Sequence, residues 1–318
     1  MTTQAKFRGL ALAATLAAAF SGPAAAESLS KDLIKFGLGV DPAFSAVYYA
    51  KQQKLFEKHG INVELQQYTQ GGDAVDALIP GQLQVGSAAE STVMIRAARG
   101  DVRAIGVFSQ SGTFIKFVLR KGVDDVKQVK KFGVVVGSVS EFSTIKLMQK
   151  YGIDEKTVSI VKGGPPEFPA LLARGDVDGY FMWEPWPSLG VKQGGKIFTT
   201  SGDVGYVYNM VIAVSGAWFD THKAEAAALM KALAEACDAL RADPSKAGAA
   251  AQAEIKIPAA QANELVQGVE WRVRDFTDDD IKRYKEIAEF QTSRKITPKP
   301  VDVDKFAQKG FVTNSVLK

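Results

Sequence analysis

One apolar run occurs twice in this chain. Lys35-Phe36-Gly37-Leu38-Gly39-Val40 returns as Lys131-Phe132-Gly133-Val134-Val135-Val136, and each copy is short enough to be a buried strand. Each leads through a loop into a helix, about Ser45 to Lys58 and about Phe142 to Lys150, closed at His59-Gly60-Ile61 and Tyr151-Gly152-Ile153. Glycine just past the last turn is a common left-handed helix stop. Short β-like runs follow, Val63 to Tyr68 and Val158 to Val161. Further on, Gly72 to Gln84 corresponds to Pro166 to Asp178, each a helix closed by glycine (Gly81, Gly175) and followed by a strand. The repeat predicts two βαβαβ units, about Leu33 to Ala89 and Lys131 to Glu184.

In open parallel sheets, ligands collect outside the carboxyl ends of the strands, where loops and helix starts converge. Two such units facing each other enclose a cleft. The segments expected to line it are Asp41 to Ser45, Thr69 to Gly72, Gly86 to Ser91, Gly137 to Ser143, Gly163 to Pro166 and Met182 to Pro187.

The first 26 residues read as an export signal: Lys6 and Arg8, an apolar stretch from Gly9 to Phe20, then Ala24-Ala25-Ala26 ahead of the expected cut. Ser21, Gly22 and Pro23 break the run before it is long enough to span a bilayer, and no Cys stands near the cut to take a lipid. The expected location is therefore the periplasm, without a lipid anchor. Removing 26 of 318 residues, Lys6 and Arg8 among them and no acid, leaves 292 residues at a formal charge of +2 rather than +4. Basic residues are interspersed with acids throughout, which argues against nucleic acid as a partner. A chain of this length exceeds what one core usually supports, so two lobes are expected. The single cysteine, Cys237, sits in an Ala-rich helical run and reads as a buried small apolar residue. His59 and His222 lie far apart without companions, which gives a metal site or a histidine triad little to build on.

The ordered set Ala50-Lys51, Gly60-Ile61-Asn62-Val63-Glu64-Leu65, Gly81-Gln82-Leu83-Gln84-Val85-Gly86, Val136-Gly137-Ser138, Leu172 to Gly179 and Trp183-Glu184-Pro185 resembles the nitrate, sulfonate, taurine and thiamine-precursor family of periplasmic binding proteins. The resemblance covers nearly all of the mature chain. It implies an α/β, two-lobed periplasmic binding protein type II fold with two crossover strands, no cofactor, and an ABC-type permease with its ATPase as partners of a monomer. The β-rich runs Phe114 to Arg120 and Tyr206 to Val214 are the expected crossovers. That assigns 27–115 and 215–318 to the first lobe and 116–214 to the second, with hinges near Lys116 to Arg120 and Tyr208 to Val214. The tail reads mainly as helices, Lys223 to Arg241, Pro258 to Val266 and Thr277 to Gln291, with Thr277 as N-cap ahead of three aspartates.

Candidate ligand residues follow from the strand ends. Ser138, Ser140, Glu141 and Ser143 stand where a strand gives way to a helix, a place that favours an anionic group; Ser140 or Ser143 would equally serve as an ordinary helix cap. Phe44 and Ser45 hold the matching place in the first repeat. Trp183, Glu184 and Trp186 end the last strand of the second repeat, two indoles beside a carboxylate, with Ser87 and Glu90 in the corresponding stretch of the first. Phe114 and Tyr208 lie at the crossovers. The resemblance implies that Glu184 touches ligand, where it would grip a donor group.

Enzyme motifs find no match. Gly81 to Ser87 lacks the lysine of a phosphate loop, and no Gly-x-Ser-x-Gly elbow occurs. The alternative of a periplasmic enzyme would rest on Glu90, Glu141 and Glu184 as acid and base. The expected solute is a small polar organic molecule: a sulfonate or taurine-like compound from the serine-rich helix start, then a pyrimidine or aromatic nitrogen compound from the tryptophans and glutamates. No arginine is evident for an inorganic anion.

Overall fold

The computed structural model describes residues 1–2 and 29–317, so the expected signal falls almost wholly outside the described residues. Eleven strands are described: β1 (Leu33–Gly39), β2 (Asn62–Tyr68), β3 (Val85–Ala89), β4 (Val102–Ser111), β5 (Ile115–Leu119), β6 (Lys131–Val134), β7 (Ser159–Lys162), β8 (Gly179–Trp183), β9 (Lys196–Thr200), β10 (Tyr208–Ser215) and β11 (Glu270–Arg274). They form two sheets, in the order β11-β4-β10-β3-β1-β2 and β7-β6-β8-β5-β9.

The repeat is visible in the registers. Phe36 pairs in parallel with Leu65 of β2 and Val85 of β3, and Phe132 with Ile160 of β7 and Gly179 of β8. The glycine after each phenylalanine has one use in both copies. A Cβ on Gly37 would stand 2.3 Å from Leu83 and 2.9 Å from Ala74, and one on Gly133 would stand 2.5 Å from Phe168. Each glycine lets the following helix, Gly71–Asp76 or Phe168–Arg174, close onto its sheet. The first long helix is interrupted: Ser45–Gln52 gives way at Lys54, which is left-handed with φ 54°, to Leu55–Lys58. Its counterpart, Val139–Tyr151, is continuous and ends on left-handed Gly152.

An antiparallel strand flanks each parallel trio, and here the two sheets differ from the sequence expectation. β10 pairs with β3 and β4 in the six-stranded sheet, whereas β5 pairs with β8 and β9 in the other. Tyr208 to Val214, assigned by sequence to the second lobe, is therefore a central strand of the first sheet. Its residues Val211 to Val214 are wholly buried, and such a run needs neighbours on both edges and both faces. The chain changes sheets at 112–114 and again at 201–207. The two crossings touch: Gly202 N–H donates to the Gly112 carbonyl at 2.7 Å, and Ser201 N–H to the Ile115 carbonyl at 2.9 Å. The segments expected as hinges are thus largely paired strands, and the crossings lie just before each.

In the tail, helices Lys223–Ala242, Ala259–Leu265 and Asp278–Ser293 stand where expected, the last capped by Thr277, with Asp280 returning the bond. Helix Ser245–Ile255 and edge strand β11 were not legible in the sequence. Cys237 is fully buried, and burial pushes its thiol far above the usual range. Among the described residues no helix is long and apolar enough to cross a membrane.

Candidate functional site

The carboxyl ends of β1, β3, β6 and β8 face one cleft between the sheets. Asp41 and Phe44 enter it after β1, Gln70 to Gly72 after β2, Ala88 and Ala89 from β3 with Thr92 just beyond, and Ser138 and Val139 after β6. Trp183 ends β8, Phe114 comes from the first crossing, and Tyr208 and Met210 from the start of β10. The cleft holds about 430 Å³ of space between atoms, part of it open to solvent. Its walls are mainly apolar and aromatic, with Phe114 and Tyr208 rings 6.4 Å apart.

Local chemistry explains how the chain arrives there. Asp41 accepts Ala43 N–H at 3.0 Å, capping the short turn Pro42–Phe44 that turns Phe44 inward. Ser138 caps Val139–Tyr151: its Oγ accepts Ser140 N–H at 3.1 Å and donates to the Val135 carbonyl at 2.8 Å. Val139 then begins a 13-residue helix at the cleft wall.

Of the residues chosen from sequence, Phe44, Phe114, Ser138, Trp183 and Tyr208 line this cleft. The others stand outside its lining. Ser45 Oγ donates to the Pro42 carbonyl and Ser87 Oγ to the Val211 carbonyl. Ser140 Oγ accepts Val135 N–H, and Glu141 accepts Gly137 N–H at 2.8 Å, so both hold the loop before the helix. Ser143 is buried, its hydroxyl unpartnered among the described residues. Half-buried Trp186 gives its carbonyl to the Tyr180 hydroxyl. Glu90 is buried on the hinge side, where it accepts Asn209 N–H at 2.8 Å, and burial raises its carboxyl to about 7. Glu184 is 0% exposed and fully engaged by Lys116 and Ser188.

Sequence reading passed over two charged residues. Asp41 lies in a segment expected at the cleft but is not among the candidate ligand residues, and burial raises its carboxyl to about 7. Arg96 spans the lobes: it holds Asp76 with Nε and Nη2, and its Nη1 donates to the Gly137 carbonyl of the second lobe at 2.5 Å. No motif in the helix around Arg96 marks that reach.

Residues 41–247 match the family described as NMT1/THI5 like. A relative in Bacillus subtilis (strain 168) that bears the name of an aliphatic sulfonates-binding protein is 25% identical over 300 residues, covering 91% of this chain and 88% of the relative. The taurine-binding periplasmic protein of Escherichia coli (strain K12) is 27% identical over 160 residues, 49% of this chain and 50% of that protein. Among solved structures, the alkanesulfonate-binding protein of Xanthomonas axonopodis pv. citri bound to MOPS superposes with a TM-score of 0.76 at 18% identity, covering 86% of this chain and 97% of that one. The fold is that of periplasmic binding proteins.

Proposed function

The chain belongs to the NMT1/THI5-like family, and we propose on that premise that it is the solute-binding component of an ABC-type importer, carrying a small organic sulfonate unchanged. One observation carries this reading: strand ends and helix starts from both halves of the repeat converge on a single cleft. The anionic group belongs at the start of helix Val139–Tyr151, where Ser138 caps the turn and the helix dipole favours negative charge. The apolar walls receive the organic part. The mature chain works in the periplasm as a monomer, delivers to a permease and its ATPase, and needs no cofactor. The two relatives named for sulfonate and taurine binding support this class of solute.

An aromatic nitrogen compound is the second reading, favoured by the rings of Phe44, Phe114, Trp183 and Tyr208 around the cleft. Catalysis is not part of the proposal. The three carboxylates on which an enzyme would rest, Glu90, Glu141 and Glu184, are each held by internal hydrogen bonds outside the cleft lining.

A thermal-shift screen over sulfonates, amines, pyrimidines and aromatic acids tests the class, because a ligand that binds only the folded state raises the melting temperature. The reading expects sulfonates to raise it, with the solute recovered intact by mass analysis. A solute returned altered, or no shift with any sulfonate, contradicts it.

A further inference from the structure

We propose that Asp41 and Tyr208 form a cation subsite in the interlobe cleft, so that the solute carries an ammonium group as well as an anionic end. The proposal rests on the reading of this cleft as the solute site and narrows the chemical class to short aminoalkanesulfonates.

Asp41 is 6% exposed and lines the cleft. One carboxylate oxygen accepts Ala43 N–H at 3.0 Å. Among the described residues no Lys, Arg or His pairs with it, and Ala43 N–H is the one group that offsets the effect of its burial. Serine or asparagine would cap the same turn without a charge to bury. A buried carboxylate with one hydrogen bond is costly unless a positive partner arrives, and the cleft is where such a partner can enter.

A second observation points to the same spot. Tyr208 also lines the cleft and is 2% exposed, and its buried hydroxyl has no hydrogen-bond partner among the described residues. Burial first, then the nearby carboxyls of Asp41 and Glu90, raise that phenol well above its ordinary range. A phenol oxygen accepts as well as donates, so carboxylate and phenol together offer acceptors to a group carrying several N–H donors. Phe44, Phe114 and Trp183 supply the surrounding wall; aromatic faces attract ammonium groups. Among the described residues no lysine or arginine lines the cleft to compete for Asp41. If Asp41 served only as a turn cap, neither the charge nor the unpartnered Tyr208 hydroxyl would have a use.

Titration calorimetry on the full mature chain decides it, with three probes: 2-aminoethanesulfonate, 1-propanesulfonate, which has a methyl in place of the ammonium, and propylamine. The wild type is expected to prefer the aminosulfonate over propanesulfonate by about tenfold or more. Asp41→Asn should weaken the aminosulfonate by roughly tenfold to a hundredfold and propanesulfonate far less. Tyr208→Phe should shift the same ratio less, and it carries the test alone if Asp41→Asn fails to fold. Equal wild-type affinities for the two sulfonates overturn the subsite, as does an equal loss of both in Asp41→Asn or an unchanged ratio in Tyr208→Phe. If propylamine binds and both sulfonates fail, and Asp41→Asn abolishes that binding, the subsite stands and the sulfonate reading falls. If none of the three binds, both fall.

Discussion

Lys116 Nζ stands 2.6 Å from Glu184 Oε1 and ties β5 to the end of β8. Ser188 completes the carboxylate's partners, its N–H at 3.1 Å and its hydroxyl at 3.0 Å. Glu184 is thereby an internal strut that fixes the turn following Trp183, and Trp183 in turn walls the cleft. Replacing the charge leaves Lys116 without its partner. Glu184→Gln is expected to cost about 1.5–3 kcal/mol of stability, as for a hydrogen bond to a charged group. Solute affinity should stay within a factor of about three, since the carboxylate does not border the cleft. Thermal melts and calorimetry on the ligand-free and loaded variant check both parts; a large affinity loss with an unchanged melt contradicts the assignment.

How far the sequence could be read follows from that pair. The repeat located β1 to β3 and β6 to β8 because each apolar run carries its own glycine and helix stop, and the strand-end rule then brought Ser138 and Trp183 to the cleft. Glu184 ends its strand as well, which made it a candidate. Its partner lies 68 residues upstream on β5, a strand the repeat does not contain, and antiparallel pairing across a crossing leaves no local signal. The sheet membership of β10 was hidden for the same reason: a fully apolar run fits the centre of either sheet. Asp41 was in view within a segment expected at the cleft, but its isolation from cations is a three-dimensional property.

The crossing glycines set a second expectation. A Cβ on Gly202 would stand 2.9 Å from the Gly112 carbonyl oxygen, a backbone atom that cannot swing aside. Gly202→Ala should part the two crossings, lower the melting temperature, and blunt the lobe closure expected on binding. Small-angle scattering with and without 2-aminoethanesulfonate measures it. The wild type should contract more than the variant, and an identical contraction in both would remove the crossings from the motion.

Arg96 links Asp76 of the first lobe to the Gly137 carbonyl of the second. Binding that requires the lobes to stay together should feel its loss, because a hydrogen bond from a charged donor contributes about 1.5–3 kcal/mol. Arg96→Ala is expected to weaken solute binding by roughly tenfold to a hundredfold, mainly through faster release. Stopped-flow dissociation rates test this, and an unchanged rate contradicts the bridge.

Burial raises the carboxyls of Asp41 and Glu90 to about 7 from 3.8 and 4.5. Between those values the folded chain keeps protons that the unfolded chain has released, so stability falls as pH rises toward 7 and levels off above it. Moving ligand-free protein from about pH 7.5 to about pH 5.5 should therefore stabilise it by about 1–2 kcal/mol per carboxylate. Asp280 acts oppositely: against its burial, Arg274 and the Thr277 N–H hold it below the usual range, and its contribution is lost only in stronger acid. Denaturant melts at both pH values check the sign. Asp41→Asn should show a smaller gain than wild type, and an equal gain contradicts its share.

The most direct measurement is a crystal structure of the mature chain grown with 2-aminoethanesulfonate at a saturating concentration. The account expects the sulfonate at Ser138 and the start of helix Val139–Tyr151, with the ammonium within hydrogen-bond reach of Asp41 and the Tyr208 hydroxyl. Solute density outside the cleft, for instance beside Phe142 and Arg283 on the hinge side, would contradict it, as would a solute in the cleft whose ammonium points away from Asp41.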